Sequence, residues 1–94
     1  MKKSVYKVPG GKLLKIALEP EDNKIKSIQI MGDFFLHPEE FIIELEDGLK
    51  GAELSEDTLI ELVEKFLSKP DVILLGATSN DIVKAIFLAL NDGT

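Results

Sequence analysis

Apolar and polar positions alternate along two stretches in the first third of the chain. From Lys12 to Glu19, Leu14, Ile16 and Leu18 share one face while Leu13, Lys15 and Ala17 share the other. From Ile25 to Met31 the alternation resumes, with Ile28 and Ile30 continuing the first set. A period of two marks half-buried strands. Pro20-Glu21-Asp22-Asn23 lies between them with turn chemistry, so the pair predicts an antiparallel hairpin. Val5 to Val8 is a shorter β-prone run stopped by Pro9-Gly10-Gly11, and it adds a third strand. The expected product is a three-stranded sheet with one covered face.

From Pro38 onward the period lengthens. Pro38 suits the first turn of a helix, and Glu39-Glu40 complements the positive end of its dipole. Phe41, Ile42, Leu45 and Leu49 form the apolar stripe, and Gly51 is the expected stop. Ser55, supported by Glu56 and Asp57, is placed to cap a second helix. There Leu59, Ile60, Leu62, Val63, Phe66 and Leu67 share one face, Glu61, Glu64 and Lys65 the other, and Pro70 ends the run. Val72-Ile73-Leu74-Leu75 is too short to classify; it reads as a brief extended segment or a buried connection. Thr78 or Ser79 then starts a third helix, Asn80 to about Leu90, ending near Gly93. With only Lys84 clearly polar in its middle, this helix must be covered on more than one side.

Two apolar residues do not fit the stripes. Ile43 lies roughly 100° beyond the stripe of the first helix, and Leu88 leaves the one formed by Ile82, Ile86 and Leu90. Either a second layer of the same domain buries them or a partner does. Strands first and helices afterwards give an α+β class, a small N-terminal antiparallel sheet packed against about three helices. The 94 residues suffice for a single domain over residues 1–94.

Composition mainly excludes. No apolar stretch approaches the roughly 20 residues that span a bilayer, and no signal peptide follows Met1-Lys2-Lys3, so a cytoplasmic protein is expected. The absence of cysteine removes disulfides, thiolate metal sites and thiol nucleophiles. All 11 basic residues are lysine, which leaves no guanidinium for bidentate phosphate or carboxylate binding. Charge is unevenly spread: residues 1–30 hold seven lysines against three acids (+4), residues 31–94 four lysines against fourteen acids (−10). A total of −6 argues against general nucleic-acid binding, although the basic third can still meet phosphates.

The candidate chemistry is sparse. Gly10-Gly11-Lys12 lacks the spacing, the Lys-Ser/Thr pair and the following helix of a phosphate loop. It reads either as a tight turn into a strand with an exposed lysine, or as a lysine facing a phosphate held by another protein. In Gly32-Asp33-Phe34-Phe35, Gly32 can supply a positive φ and Asp33 can bond nearby N–H groups. Phe34 and Phe35 then serve core packing or shape a docking surface. His37, the one histidine, is expected near a helix N-terminus as a neutral cap or packed ring. Glu39-Glu40 and Glu44-Leu45-Glu46-Asp47 are carboxylates on a solvated helix face, not a metal site.

Taken in order, a Gly10-Gly11-Lys12 strand start, a hairpin, Gly32-Asp33-Phe34-Phe35 and a Pro38-Glu39-Glu40 helix resemble the accessory domain of lipoate–protein ligases. The resemblance runs from about Val5 to Gly51; beyond it only the alternation of helical segments agrees. In that family this is the small C-terminal domain, fused to the catalytic domain or made as a separate subunit. The ligases activate lipoate with ATP and magnesium to lipoyl-adenylate. They then transfer the lipoyl group to a lysine of an acceptor domain of 2-oxoacid dehydrogenases or the glycine-cleavage H protein.

Nucleotide and lipoate contacts in the family, including the catalytic lysine, belong to the large domain. Its Arg-Arg and triple-glycine signatures are missing here. The resemblance therefore implies a non-catalytic subunit, inactive alone, that joins a catalytic subunit as a heterodimer and serves chiefly the adenylation step. It implies no cofactor on this chain alone, with ATP, magnesium and lipoate held by the complex, and no catalytic or metal residues. Running from Met1 to Thr94 without a catalytic domain, the chain is expected to be the separate-subunit form. Candidates for the nucleotide-proximal or partner-facing surface are Gly11, Lys12, Gly32, Asp33, Phe34, Phe35, His37 and Ile43. Two alternatives stand beside this reading. A cluster-assembly role of a related fold would need the cysteine thiolates that are absent. A small protein-binding module with no role in lipoylation would not select a ligase subunit as its partner.

Overall fold

The hairpin predicted by alternation turns at Asp22-Asn23, whose φ angles of 53° and 62° are the paired positive values of a two-residue type I′ turn. In the computed structural model, which describes residues 1–92, β2 spans Leu13–Glu21 and β3 spans Lys24–Gly32. The strands thus run further than the expected Pro20–Asn23 turn allows. Pro20 sits inside β2 where the register shifts, between Glu19 and Pro20, a place where its missing N–H breaks no regular ladder. β1, Lys2–Lys7, pairs antiparallel with β2 and gives the order β1-β2-β3.

Leu14, Ile16 and Leu18 of β2 and Ile28 and Ile30 of β3 are buried on one face, as alternation requires, and the register shift beside Pro20 brings Ile25 into the same buried set. The structure places α1 (Phe41–Leu49) over β3 and α3 (Ser79–Leu90) across β1 and β2, with α2 (Glu56–Leu67) against both helices. α1, Phe41–Leu49, buries Phe41, Leu45 and Leu49 while Ile42 is half-buried. It is led in by a tight turn in which Phe41 N–H donates to Pro38 O at 3.0 Å and Ile42 N–H to Glu39 O at 3.2 Å. Pro38 thus opens the turn before the helix; the His37–Pro38 peptide is cis.

α2, Glu56–Leu67, buries Leu59 and Val63 and leaves Ile60, Leu62, Phe66 and Leu67 half-buried. Ser55 occupies its N-cap position without a side-chain hydrogen bond, so the expected serine cap is positional only. Where α1 and α2 meet, a Cβ on Gly48 would overlap the Phe66 ring, so glycine sets how closely the helices approach. Phe66 tilts against Phe41 at 6.3 Å, and Lys69 Nζ lies 5.4 Å from the Phe66 ring and 5.6 Å from the Phe41 ring.

α3, Ser79–Leu90, starts from a full capping box. The Asp81 N–H donates to Thr78 Oγ1, and the Thr78 N–H donates to the Asp81 carboxylate. Ile82, Val83, Ala85, Ile86 and Ala89 are buried, covered by the sheet on one side and α2 on another. The expected helix end near Gly93 lies outside the described residues. Ile43 and Leu88 remain 59% and 44% exposed, so no second layer of this domain covers them.

One element is unforeseen. Phe35–His37 forms a short strand, β4, which pairs antiparallel with β5, Ile73–Leu75. The open choice for Val72–Leu75 is settled in favour of an extended segment, and His37 belongs to a strand rather than a helix cap. β3 passes into β4 through Gly32, whose φ of 148° and overlap of any Cβ with the Leu13 carbonyl oxygen exclude a side chain. Asp33 N–H then donates to that same carbonyl at 3.1 Å.

Gly32→Ala should cost at least about 1–3 kcal/mol from backbone conformation alone. Tm should fall by roughly 4–8 °C for each kcal/mol lost in a domain of this size. Gly51→Ala, at φ 83° but with no atom within 4 Å, should cost distinctly less. Thermal melts of both variants measure the difference, which reports the contact with Leu13.

Candidate docking site

The two glycine-bearing segments meet in space. Val8 N–H donates to Lys12 O at 2.7 Å and Gly11 N–H to Val8 O at 3.0 Å, which fixes the loop that presents Gly11 and Lys12. The Asp33 bond to Leu13 O joins the Gly32–Phe35 segment to the next residue of the same strand start. Gly76, just after β5, completes the corner. A Cβ built on it would lie 2.9 Å from Lys12 Cγ and 3.5 Å from Phe34 Cα. The Lys12 stem therefore runs over a bare glycine backbone, while its residue stays exposed and forms no ion pair among the described residues.

Next to this corner, β4 and β5 present an apolar outer face. The register sets Phe35 opposite Leu75 and His37 opposite Ile73, so all four point the same way. Phe35, Leu75 and Ile73 are 52%, 59% and 50% exposed. The Phe35 and His37 rings stack at 6.5 Å with planes 5° apart. Leu36, on the opposite face, is buried. Alongside runs an open groove of about 370 Å³ whose walls include Met31, Phe34, Phe35, Glu39 and Ile42.

Gly11, Lys12, Gly32, Asp33, Phe34 and Phe35 are thus drawn together, with His37 joined through its stack on Phe35. Ile43 is not among them; it projects from α1 beyond Ile42, outside the groove. Phe34 is half-buried against the core, as packing predicts, whereas Phe35 is mostly solvent-facing. Asp33 is exposed, and its carboxylate makes no hydrogen bond among the described residues, so its backbone N–H, not the expected side chain, fixes the turn. Sequence reading missed Ile73, Leu75 and Gly76. A three-residue strand carries too little alternation to be recognised, and only its pairing with β4 shows which side chains face out.

The corner has the shape of a contact surface. Among the described residues no polar side chain is buried, and no group of three or more His, Asp or Glu is poised to hold a metal. No described helix is long and apolar enough to cross a membrane. Exposed apolar rings beside an unpaired lysine suit association with a second macromolecule.

Comparison with known proteins gives three concordant results. A family model described as bacterial lipoate protein ligase C-terminus matches residues 3–86. Lipoate-protein ligase A subunit 2 of Thermoplasma acidophilum is 34% identical over 74 residues, covering 79% of this chain and 76% of that protein. A solved chain from the bi-partite lipoate protein ligase of the same organism, described together with its E2 lipoyl domain, superposes with a TM-score of 0.74. It is 30% identical and covers 89% of this chain and 96% of that one. The α+β architecture expected from the sequence is the fold of that structure.

If the β4–β5 outer face is a free surface, removing its apolar side chains should not affect folding. The double variant Phe35→Ser, Leu75→Ser should melt within a few degrees of the parent. Leu36→Ala, in the same strand but buried, should cost about 2–5 kcal/mol. Thermal denaturation followed by circular dichroism distinguishes the two.

Proposed function

The chain belongs to the family of lipoate–protein ligase C-terminal domains, and on that premise we propose that it is the accessory subunit of a two-part, ATP-dependent lipoate–protein ligase. A catalytic subunit would bind ATP, magnesium and lipoate. There the lipoate carboxylate attacks the α-phosphorus of ATP, pyrophosphate leaves, and lipoyl-adenylate results. The ε-amine of an acceptor lysine then attacks the acyl carbon and releases AMP. Acceptor domains of 2-oxoacid dehydrogenases or the glycine-cleavage H protein would receive the group.

The observation that carries this reading is the corner at which Lys12, the Gly32–Phe35 segment and Gly76 converge beside the exposed Phe35–Leu75 face. Such a surface can dock on a catalytic subunit through its apolar part. Docking would hold a mobile loop over the nucleotide pocket and exclude water from it. The Lys12 ammonium, on a stem supported by Gly76, would stand near phosphate charge that develops as pyrophosphate departs. Asp33, Phe34 and His37 shape this corner, and Gly11 and Gly32 give it its backbone path. Ile43 would extend the contact along α1.

Alone, the chain should release no lipoate-dependent pyrophosphate; added to its catalytic subunit, it should raise that release strongly. In the complex, Lys12→Ala should slow adenylation, by up to roughly 10²–10³ if the lysine is well placed. Transfer from preformed lipoyl-adenylate should be unaffected. Full adenylation activity in Lys12→Ala would reduce this lysine to a solvated strand residue.

Ile43→Asp tests the reach of the interface. Because Ile43 is 59% exposed, the variant should melt close to the parent. Association with the catalytic subunit, measured by calorimetry, should weaken by about tenfold or more, equivalent to 1.4 kcal/mol. Undiminished affinity would confine the interface to the β4–β5 side.

A further inference from the structure

The three-stranded sheet has two edges, and they are treated differently. The β3 edge is bonded at both ends of the strand: Ile25 N–H donates to Ala52 O at 2.9 Å, Gly51 N–H donates to Ile25 O at 2.7 Å, and Ile30 N–H donates to Glu46 Oε2 at 2.7 Å. The β1 edge is closed only at its start, where Lys3 N–H donates to the Asp92 carboxylate at 3.0 Å and Lys2 Nζ donates to Asp92 O at 2.7 Å. The Val8 bond to Lys12 O shows that even-numbered N–H groups point toward β2. Those of Lys3, Val5 and Lys7 therefore point outward. Among the described residues, the Val5 and Lys7 N–H groups meet no acceptor.

The side chains along this edge are distinctive too. Val5 is 64% exposed. Lys3 and Lys7 flank it in β1, and Lys15 is its partner across the ladder. Lys26, Lys50 and Lys69 each have a carboxylate within 4.0 Å, and the Lys26 ammonium is held above its ordinary pKa by its bond to Glu21 and the charges of Glu21 and Glu19. Lys7 and Lys15 have no such partner among the described residues.

We propose that the open edge of β1 receives an extended acidic segment of a protein partner as an added strand. Its backbone would take the Val5 and Lys7 N–H groups, and its carboxylates would fall among Lys3, Lys7 and Lys15. Asp92 already shows the chemistry at one position, an acidic residue accepting from an outward N–H of the same row. A second copy of this chain fits poorly, since antiparallel β1 strands centred on Val5 would set Lys3 against Lys7. Nucleic acid fits less well: this face offers it lysines but no aromatic ring, because Tyr6 points inward. The inference stands independently of the lipoylation reading.

The test titrates the ¹⁵N-labelled full chain with a synthetic peptide of about ten residues that alternates Glu and Val, the strand-adding format. The control replaces each Glu by Gln. Expected are slowed amide exchange at Val5 and Lys7, shifts centred on β1 and Lys15, and binding that weakens from about 50 to about 200 mM salt. The Gln peptide should bind at least about tenfold more weakly. Val5→Pro, which removes an N–H that the sheet does not use, should abolish binding while the fold persists. Lys7→Glu with Lys15→Glu should do the same if the proline variant proves unstable. The proposal is overturned by absence of binding, by binding that leaves Val5 and Lys7 exchange unchanged, or by single-stranded oligothymidylate giving the same shifts at equal affinity.

Discussion

The contact between the Gly32 backbone and the Leu13 carbonyl governs the arrangement of everything that follows the sheet. It allows the chain leaving β3 to fold back over the start of β2, and the Asp33 N–H bond to the same oxygen fixes that return. From there β4 departs in a defined direction, finds β5, and passes through the Pro38 turn into α1. A side chain at position 32 would push these two backbones apart. The Lys12 loop and the Phe34–Phe35 segment would then lose their common corner.

Beneath this corner the core is wholly apolar among the described residues, and polar groups are settled at its margins. Ser4 Oγ donates to Ala85 O at 2.7 Å and ties α3 to β1. Ala85 and Ala89 are the small residues through which α3 lies close to the sheet, and Lys84 on its outer side covers the Tyr6 ring at 5.3 Å. Gly48 plays the corresponding part between α1 and α2. Close approach at these small residues, together with large buried side chains such as Phe41, Leu45, Leu59 and Ile86, lets three short helices cover one small sheet.

Much of this was legible in the residues. Alternation at Leu14, Ile16 and Leu18, continued at Ile28 and Ile30, identified the buried sheet face because a one-residue slip would reverse it. The stripes of α1 and α3 followed in the same way, and of the two residues expected to start α3, Thr78 or Ser79, Thr78 is the cap. The expected turn over Pro20–Asn23 contains the real one at Asp22-Asn23 but begins two residues early, since Pro20 looks like a turn residue when its position beside a register shift is unknown. The β4–β5 pair was not legible. Its three-residue strands are held by partners far apart in sequence, and no local pattern encodes that meeting. For the same reason the role of Gly76 under Lys12 was invisible, whereas Gly32, Phe34 and Phe35 stood out by their order.

The bonded side of the sheet has a bearing on where a further strand can pair. With Glu46 and the Gly51-Ala52 backbone occupying the β3 border, further strands cannot be added on that side without displacing an existing bond. Pairing along that border would first have to break the Glu46 bond to Ile30, so a single helix side chain biases strand addition toward the opposite border of the sheet.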